Sequence, residues 1–288
     1  VLPRMFDRGN TMVWMSANSA RSSRAPQVIL NSVELAQLPT LPLVISAPFG
    51  NYVQPTGATA TLGTFTLEPR PGRLWRVLST VRYYRRLGAW VNRIGLRNPG
   101  VRWLLDHVAA KKIDVSDKII SIHGFNADQW FGLLDQIGHI RPLAIELNMS
   151  CPNVGQIDWP TDLFARANKC AAAIIVKLLP VHYGTMADQA VDHGLKFFHC
   201  CNTLPIPIGG LSGLPLKPVA LQCIRDLRCR SYGNDLTIIG GGGIREPRDI
   251  DEYHNAGANH FALGTKLMNP RYLFSHRPLK PLFQRAQS

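Results

Sequence analysis

Eight short apolar runs recur along the chain, and helix-like segments separate most of them. Most of these runs are apolar almost throughout, which is typical of parallel strands buried on both faces. Repeated strand–helix alternation in 288 residues favours a (β/α)8 (TIM) barrel, and an open doubly wound sheet is the alternative. The predicted strands are Leu43–Ala47, Thr61–Leu67, Lys118–Gly124, Leu143–Met149, Ala173–Leu179, Phe197–Asn202, Leu236–Gly240 and His260–Gly264.

The segments between the strands predict helices, with one irregular unit. Between the first two strands, Pro48–Ala60 holds Pro, Gly and Asn without a helical period, so the first barrel helix is expected to be reduced to a loop. The polar start, residues 1–38, is expected to be an arm or cap on a single barrel domain formed by residues 39–288. The predicted helices are Trp75–Leu87, Val101–Lys111, Ala127–Ile140, Asp162–Ala172, Thr185–His193, Lys217–Arg230 and Pro247–Ala256.

Composition narrows the class of protein. Hydrophobic residues make up 45% of the chain and charged residues 18%, which excludes global disorder. No run approaches the roughly 18 apolar residues of a membrane-spanning helix, and the first residues lack the apolar region of a signal peptide. The six cysteines form neither a disulfide framework nor a CxxC pair, and the nine histidines show no HxH or HExxH spacing. We therefore expect a cytoplasmic protein without a metal site.

The net charge of +13 is concentrated in one stretch, residues 70–102, called here the arginine-rich segment. It contains nine arginines and no Asp or Glu, and Leu74, Leu78 and Val81 recur at helical spacing within it. We expect this segment to face a partner subunit, a membrane surface or an acidic substrate rather than nucleic acid. A solvated helix face is the plainer alternative.

Polar residues cluster where consecutive strands end, which is where barrel enzymes place their active sites. The glycine run Gly240–Gly243 and the pair Gly264–Thr265 end neighbouring strands, and together they favour a phosphate site. Lys177 ends an apolar strand and needs an anionic partner there, which a phosphorylated flavin supplies. Cys151 follows the fourth strand and is a candidate base or nucleophile, although a free cysteine is more often a small buried hydrophobe. The other five cysteines are interpreted as buried hydrophobes, and His123 as a hydrogen-bonded core histidine.

At these positions the sequence resembles the dihydroorotate dehydrogenase family, which are FMN-dependent (β/α)8-barrel enzymes. The resemblance runs from about Leu43 to Phe274. The matching motifs are NRIGLRNPG (Asn92–Gly100), ELNMSCPN (Glu146–Asn153), VKLLP (Val176–Pro180), CNT, GGLSG and LKPVAL (within Cys201–Leu221), IIGGGGI (Ile238–Ile244) and AGANHFALGTK (Ala256–Lys266).

The resemblance implies a role for each matched residue. Cys151 takes the place of the cysteine that removes a proton from C5 of dihydroorotate in the soluble class of these enzymes, while a hydride passes to flavin N5. Residues implied to bind FMN are Ala47, Asn148, Lys177, Gly210, Gly242, Gly243, Gly264 and Thr265. Residues implied to hold the pyrimidine are Asn92, Gly95, Leu96, Asn153, Asn202 and Thr203.

One departure from the family concerns the end of the second strand, where the family has a lysine that contacts flavin and substrate. Counting back from TLEPRPG, that position is Gly63 here. Loss of one charged hydrogen bond is expected to weaken binding of an anionic substrate by about 1.5–3 kcal/mol. A flavin oxidoreductase of the same fold acting on another pyrimidine-like or unsaturated substrate is therefore the alternative. A binding module that uses the basic face is the alternative from a different class.

The resemblance leaves the electron acceptor unidentified, and it implies a homodimer because family members commonly form dimers.

Overall fold

The computed structural model describes residues 37–149, 159–180 and 183–288. The strands in this part of the chain are β1 (Leu43–Ile45), β2 (Thr59–Phe65), β3 (Arg82–Tyr84), β4 (Ala89–Asn92), β5 (Ile119–Ile122), β6 (Ala144–Asn148), β7 (Ala173–Lys177), β8 (Phe197–Cys200), β9 (Leu204–Ile206), β10 (Gly209–Gly213), β11 (Thr237–Gly241) and β12 (His260–Leu263). The α-helices are α1 (Arg73–Thr80), α2 (Val101–Ala109), α3 (Ala127–His139), α4 (Leu163–Ala167), α5 (Tyr183–Asp192), α6 (Leu216–Arg228), α7 (Pro247–Asn255) and α8 (Lys280–Gln287).

Eight parallel strands close into a barrel in the order β1-β12-β11-β8-β7-β6-β5-β2. The predicted (β/α)8 barrel is therefore confirmed, and the open sheet is excluded. The strands are buried along almost their whole length, because the barrel interior covers one face and helices cover the other. Large side chains such as Trp130 on α3 and Ile224 on α6 are fully buried between helix and strand.

Side chains in the barrel interior change from apolar to polar along the strands. Residues two apart on a strand face the same side of the sheet. Ile119 on β5 and Ile175 on β7 belong to a small apolar cluster. Two residues later on the same strands, Ser121 and Lys177 are buried polar groups. The carboxyl ends of the strands therefore bring polar side chains together inside the barrel.

The connection from β1 to β2 lacks an α-helix, as the sequence predicts. A single 3-10 turn, Phe49–Asn51, takes its place. This turn packs tightly on β2, since a Cβ added to Gly50 would lie 2.3 Å from the Thr61 carbonyl oxygen. The Asn51 side chain bonds to both backbone groups of Gly63, accepting from its N–H at 3.1 Å and donating to its carbonyl at 2.9 Å. The reduced first unit thus fixes the end of β2.

A second sheet lies outside the barrel, and it corrects the prediction of a helix over Trp75–Leu87. Helix α1 ends at Thr80, and the chain then forms β3 and β4 of an antiparallel sheet with the order β3-β4-β10-β9. The helix ends where Val81 takes an extended conformation, and the Arg82 guanidinium donates to carbonyls of the last turn of α1. Gly88, with a φ of +57°, then helps to turn β3 back into β4. Leu204–Ile206 form β9, an edge strand of the same sheet.

The predicted arm lies almost entirely outside the described residues. Of residues 1–38, Gln37 and Leu38 are described; Gln37 is exposed, and Leu38 is buried in the apolar cluster inside the barrel. The boundary at residue 39 stays a prediction.

Candidate active site

A cavity of about 730 Å³ opens at the carboxyl ends of the barrel strands, where the sequence predicts the active site. Second-sheet residues such as Trp90 and Ser212 close part of its wall. The predicted site residues that line it are Ala47, Asn92, Gly95, Leu96, Asn148, Lys177, Asn202, Thr203, Gly242, Gly243, Gly264 and Thr265.

Three predicted site residues are not found among those that line the cavity. Gly210 lies on β10, paired with Asn92 of β4, and stands behind the cavity wall. Cys151, the predicted base, and Asn153 lie outside the described residues.

The loop after β11 has the geometry of an anion cradle. Gly242 and Gly243 take φ values of +124° and +73°, which side-chain-bearing residues rarely adopt. Successive residues of this kind let the backbone curve round an anion with its N–H groups inward. At the end of the neighbouring strand β12, a Cβ added to Gly264 would find no atom nearer than 4.0 Å, so the wall leaves room there. The two glycine loops therefore leave room for a phosphate group, and the phosphate site stays a prediction.

Side chains behind the cradle hold it in place, and sequence reasoning missed them. The buried Tyr253 hydroxyl donates to the Gly242 carbonyl at 2.6 Å. Asp249 accepts from the backbone N–H groups of Arg245 and Glu246 and pairs with Lys217 at 2.5 Å. These hydrogen bonds lower the pKa of Asp249, although its burial acts in the opposite direction. The cradle is therefore preorganised by contacts with α6 and α7.

Lys177 has an anionic partner within the protein, which corrects the inference that a cofactor must supply one. Its ammonium lies 3.4 Å from Glu146 Oε1, and His199 Nδ1 lies 2.7 Å from Glu146 Oε2. Burial would raise the pKa of Glu146, but the charge of Lys177 and the hydrogen bonds from His199 and Ser121 more than offset it and lower the pKa to about 2. Burial, together with the charge of Lys177, lowers the pKa of His199. The interior therefore holds an ionised carboxylate paired with one ammonium.

The Glu146 carboxylate also sets the direction of a chain of hydrogen bonds across the barrel. An ionised carboxylate can only accept, so the Ser121 hydroxyl donates to it at 2.8 Å. Thr64 must then donate to Ser121, at 3.0 Å, and its oxygen accepts from the Asn148 amide at 2.8 Å. The Asn148 oxygen in turn accepts from the Asn202 amide at 3.0 Å. Two cavity-lining amides thereby receive a fixed orientation from a charge deep in the barrel.

His123 behaves as a core histidine, which is the interpretation favoured from the sequence. Its ring is fully buried against Phe125 and Trp130, and Nδ1 lies 2.7 Å from the Asn148 carbonyl oxygen. That oxygen can only accept, so Nδ1 carries the proton. Burial lowers the pKa of His123 to about 4, and the ring is neutral near pH 7.

Gly63 cannot be replaced by a lysine in this backbone. It lines the cavity with a φ of +109°, and an added Cβ would lie 2.5 Å from the Ser121 carbonyl oxygen. Strand β2 also carries one residue more than β5 between Leu62 and Phe65, so Gly63 and Thr64 together face Ser121. The strand end therefore presents the Thr64 hydroxyl, and no cation, to the cavity.

The described cysteines differ in their surroundings. Cys201 lines the cavity, but it is buried, and burial raises its pKa well above the usual value. It is therefore a neutral thiol near pH 7. Cys200 and Cys223 are buried as expected. Cys170 is half-buried and Cys229, which follows the last residue of α6, is exposed, so these two depart from the interpretation of all five as buried hydrophobes.

The arginine-rich segment presents an unusual surface. None of the residues of α1 is buried, and Leu74, Trp75 and Leu78 are 74%, 72% and 66% exposed. Five of the nine arginines are exposed as well. No helix in the described part of the chain is long and apolar enough to cross a membrane, and no group of metal-ligating side chains occurs in that part.

A (β/α)8 barrel with an anion cradle and convergent amides in one cavity has the architecture of a cofactor-dependent barrel enzyme. Comparison with known proteins supports this class of protein. The sequence profile of the dihydroorotate dehydrogenase family matches residues 51–277. The chain is 32% identical over 242 residues to the catalytic subunit of dihydroorotate dehydrogenase B (NAD(+)) from Petrotoga mobilis, covering 74% of this chain and 77% of that one.

Further relatives give the same result. The subunit of the same name from Alkaliphilus metalliredigens is 31% identical over 250 residues, covering 77% of this chain and 80% of that one. The crystal structure of the ligand-free dihydroorotate dehydrogenase of Eimeria tenella has a similar fold, with a TM-score of 0.71 at 19% identity over 84% of this chain and 83% of that one. The chain therefore belongs to the dihydroorotate dehydrogenase family, oxidoreductases that act on CH–CH groups and generally use a flavin.

Proposed function

We propose that the protein oxidises dihydroorotate to orotate with FMN as its cofactor, as a step of pyrimidine biosynthesis in the cytoplasm. The observation that carries this proposal is the shared cavity, in which an anion cradle on Gly242 and Gly243 faces the oriented amides of Asn148 and Asn202. A phosphorylated cofactor and a planar imide substrate are the two ligands that suit these groups.

FMN fits the residues that are present. Gly242, Gly243, Gly264 and Thr265 would hold its phosphate, because a Cβ at Gly264 would project into the open space of the cavity. Lys177 would lie beside the ring system, its charge already balanced by Glu146. When bound, FMN supplies the acceptor for the hydride that leaves the substrate.

The remaining chemistry belongs to the protein. Asn148 and Asn202 would bind the imide edge of the pyrimidine, since each offers donors and acceptors. Cys151 would act as the base that removes the C5 proton. Two observations support this role. Cys151 follows Asn148 by three positions in the sequence. Cys201, the cysteine that lines the cavity among the described residues, has a raised pKa, so it stays protonated and is a poor base.

Electrons must leave the protein for a second acceptor. The relatives are named as NAD(+)-type catalytic subunits, which supports a partner subunit as the route to that acceptor. The exposed arginine-rich segment offers a surface for such a partner, and a homodimer is the assembly that we expect for the chain itself.

A second candidate function is oxidation of a different pyrimidine-like substrate. Gly63 favours it, because the strand end that carries a cation in the family cannot carry one here.

Anaerobic mixing of the purified protein with dihydroorotate tests both candidates. If the proposal holds, the visible flavin band bleaches, and Cys151→Ala slows the bleaching by about 10²- to 10⁴-fold, the usual contribution of a general base. Cys229→Ser is the matched control, because that cysteine is exposed and far along the sequence, and its rate should equal that of the wild type. A flavoprotein that dithionite bleaches but dihydroorotate does not would refute the proposed substrate. Unchanged bleaching in Cys151→Ala would refute the proposed base.

A further inference from the structure

The distribution of charge around the cavity is uneven. Among the described residues that line it, the permanently charged side chains are Arg73, Arg97 and Lys177, and no Asp or Glu occurs. Lys177 is neutralised by Glu146 within the barrel. The two arginines form no ion pair with a described carboxylate, and they lie on the outer wall contributed by α1 and by the loop after β4. Unbalanced positive charge is therefore confined to this wall.

The loop that carries Arg97 is held in a costly conformation. Gly95 and Leu96 both take left-handed φ values, +73° and +55°. A leucine rarely adopts that conformation, and it persists where surrounding contacts enforce it, commonly at ligand sites. The buried Asn98 supplies the contacts here: its amide donates to the Leu96 carbonyl at 2.7 Å, and its oxygen accepts from Gly100 N–H at 2.8 Å.

The two guanidinium groups line the same cavity, and contacts with neighbouring residues support each of them. Arg97 Nη1 donates to the carbonyl of Pro71, two residues before Arg73. Arg73 lies over the ring of Tyr52, with its guanidinium carbon 5.2 Å from the ring centre. The ε N–H of Arg97 is buried and has no acceptor among the described residues. A buried guanidinium donor without an acceptor is costly, and an anion is the partner that suits it.

We propose that Arg73 and Arg97 form an anion site that binds the carboxylate of the substrate. This inference rests on the proposed function, since dihydroorotate and orotate each carry one carboxylate beside the pyrimidine ring. The cavity then receives the ring at Asn148 and Asn202 and the carboxylate at the arginine wall. The site would supply, from the outer wall, the cation that Gly63 cannot provide.

Direct binding of orotate and of its uncharged methyl ester, measured by calorimetry, tests the site. The variants are Arg97→Gln and Arg73→Gln, with Arg86→Gln as control, since Arg86 is exposed and does not line the cavity. We expect each cavity variant to bind orotate about 10- to 100-fold more weakly, the effect of one charged hydrogen bond, and to bind the ester unchanged. Arg97→Lys should recover part of the orotate affinity because it keeps the charge.

The other possible outcomes would refute the anion site or the proposed function. Wild-type orotate affinity in both cavity variants would overturn the anion site and leave the proposed function intact. An equal loss of orotate and ester would also overturn it, because the arginines would then only support the loop. A lowered FMN content with unchanged orotate affinity would assign the arginines to the cofactor phosphate instead. A wild-type protein that binds neither orotate nor ester would overturn the proposed function itself.

Discussion

Replacement of Glu146 by glutamine removes a buried charge but keeps a side chain of almost the same size. The Lys177 ammonium, 5% exposed, would then have no charged partner within the barrel. The Ser121 hydroxyl would also lose the carboxylate that fixes its direction, and with it the orientation of Asn148. We therefore expect a large loss of stability together with weaker pyrimidine binding.

The size of the loss follows from the pKa of Glu146 and from the charge separation that contributes to it. The pKa of Glu146 is lowered from 4.5 to about 2 although burial opposes the shift, and such a shift corresponds to about 3 kcal/mol of stability. Two unit charges 3.4 Å apart at an effective dielectric constant of about 20 attract by about 5 kcal/mol. Both values agree with the cost of about 3–5 kcal/mol for removing one partner of a buried ion pair.

Urea unfolding of the wild type and of Glu146→Gln at pH 7 measures this loss. The stabilisation from a carboxylate with a lowered pKa is complete above pH 4.5 and is lost as the pH falls toward 2, so the two proteins should converge as the solution is acidified. Ser121→Ala, which removes one hydrogen bond to the carboxylate and leaves the ion pair in place, should cost about 1.5–3 kcal/mol, less than Glu146→Gln. Adding Lys177→Met to Glu146→Gln should recover stability, because no charge is then left unpaired. A free energy of unfolding for Glu146→Gln within 1 kcal/mol of the wild type at pH 7 would refute this reasoning.

Three further predictions concern single positions. Burial lowers the pKa of His123 from 6.5 to about 4, so about 3 kcal/mol of stability should be lost as the pH falls from 6.5 to 4. In a series of urea-unfolding measurements, His123→Asn should not show this loss at acid pH. The same loss of stability in the variant as in the wild type would contradict a buried, neutral His123. In thermal unfolding, Gly63→Ala should cost about 2 kcal/mol more stability than Gly57→Ala. Both glycines have a positive φ, but of the two only Gly63 would bring a Cβ against backbone atoms. Equal losses of stability would exclude this clash. Trp75→Ser should change the free energy of unfolding by less than about 0.5 kcal/mol, whereas Trp130→Ala should lower it by about 3–5 kcal/mol. The reason is that Trp75 is 72% exposed and Trp130 is fully buried. A large loss of stability for Trp75→Ser would show that its side chain is covered in solution.

The barrel could be predicted from the sequence because each parallel strand is an uninterrupted apolar run with its own helix. The same approach failed after α1. Leucines and a valine continue the helical spacing through residue 87, but Val81, Tyr83 and Tyr84 are β-branched or aromatic and suit a strand equally well. Tertiary pairing of β4 with β10 decides between the two, and β10 lies more than 100 positions further along the chain.

The partner of Lys177 could not be found from sequence alone for a related reason. Glu146 is 31 positions from Lys177 and 53 from His199, and the parallel pairing of β6, β7 and β8 brings them together. A usable signal was nevertheless present: Glu146 stands two residues before Asn148 in the otherwise apolar strand AIELN, so both must face the same side. A charged residue at an alternate position of a buried strand predicts a buried ion pair, with its partner to be sought on the neighbouring strands.

The net charge of +13 divides into two parts with different consequences. Inside the barrel the ammonium of Lys177 is balanced by Glu146, so the interior adds little field and favours a neutral, planar ring. At the mouth, Arg73 and Arg97 line the cavity without a described carboxylate, and the same segment carries five further, exposed arginines. A positive rim attracts an anion and holds its charged end outward. A pyrimidine with one carboxylate would therefore enter ring first, with its carboxylate left at the arginine wall.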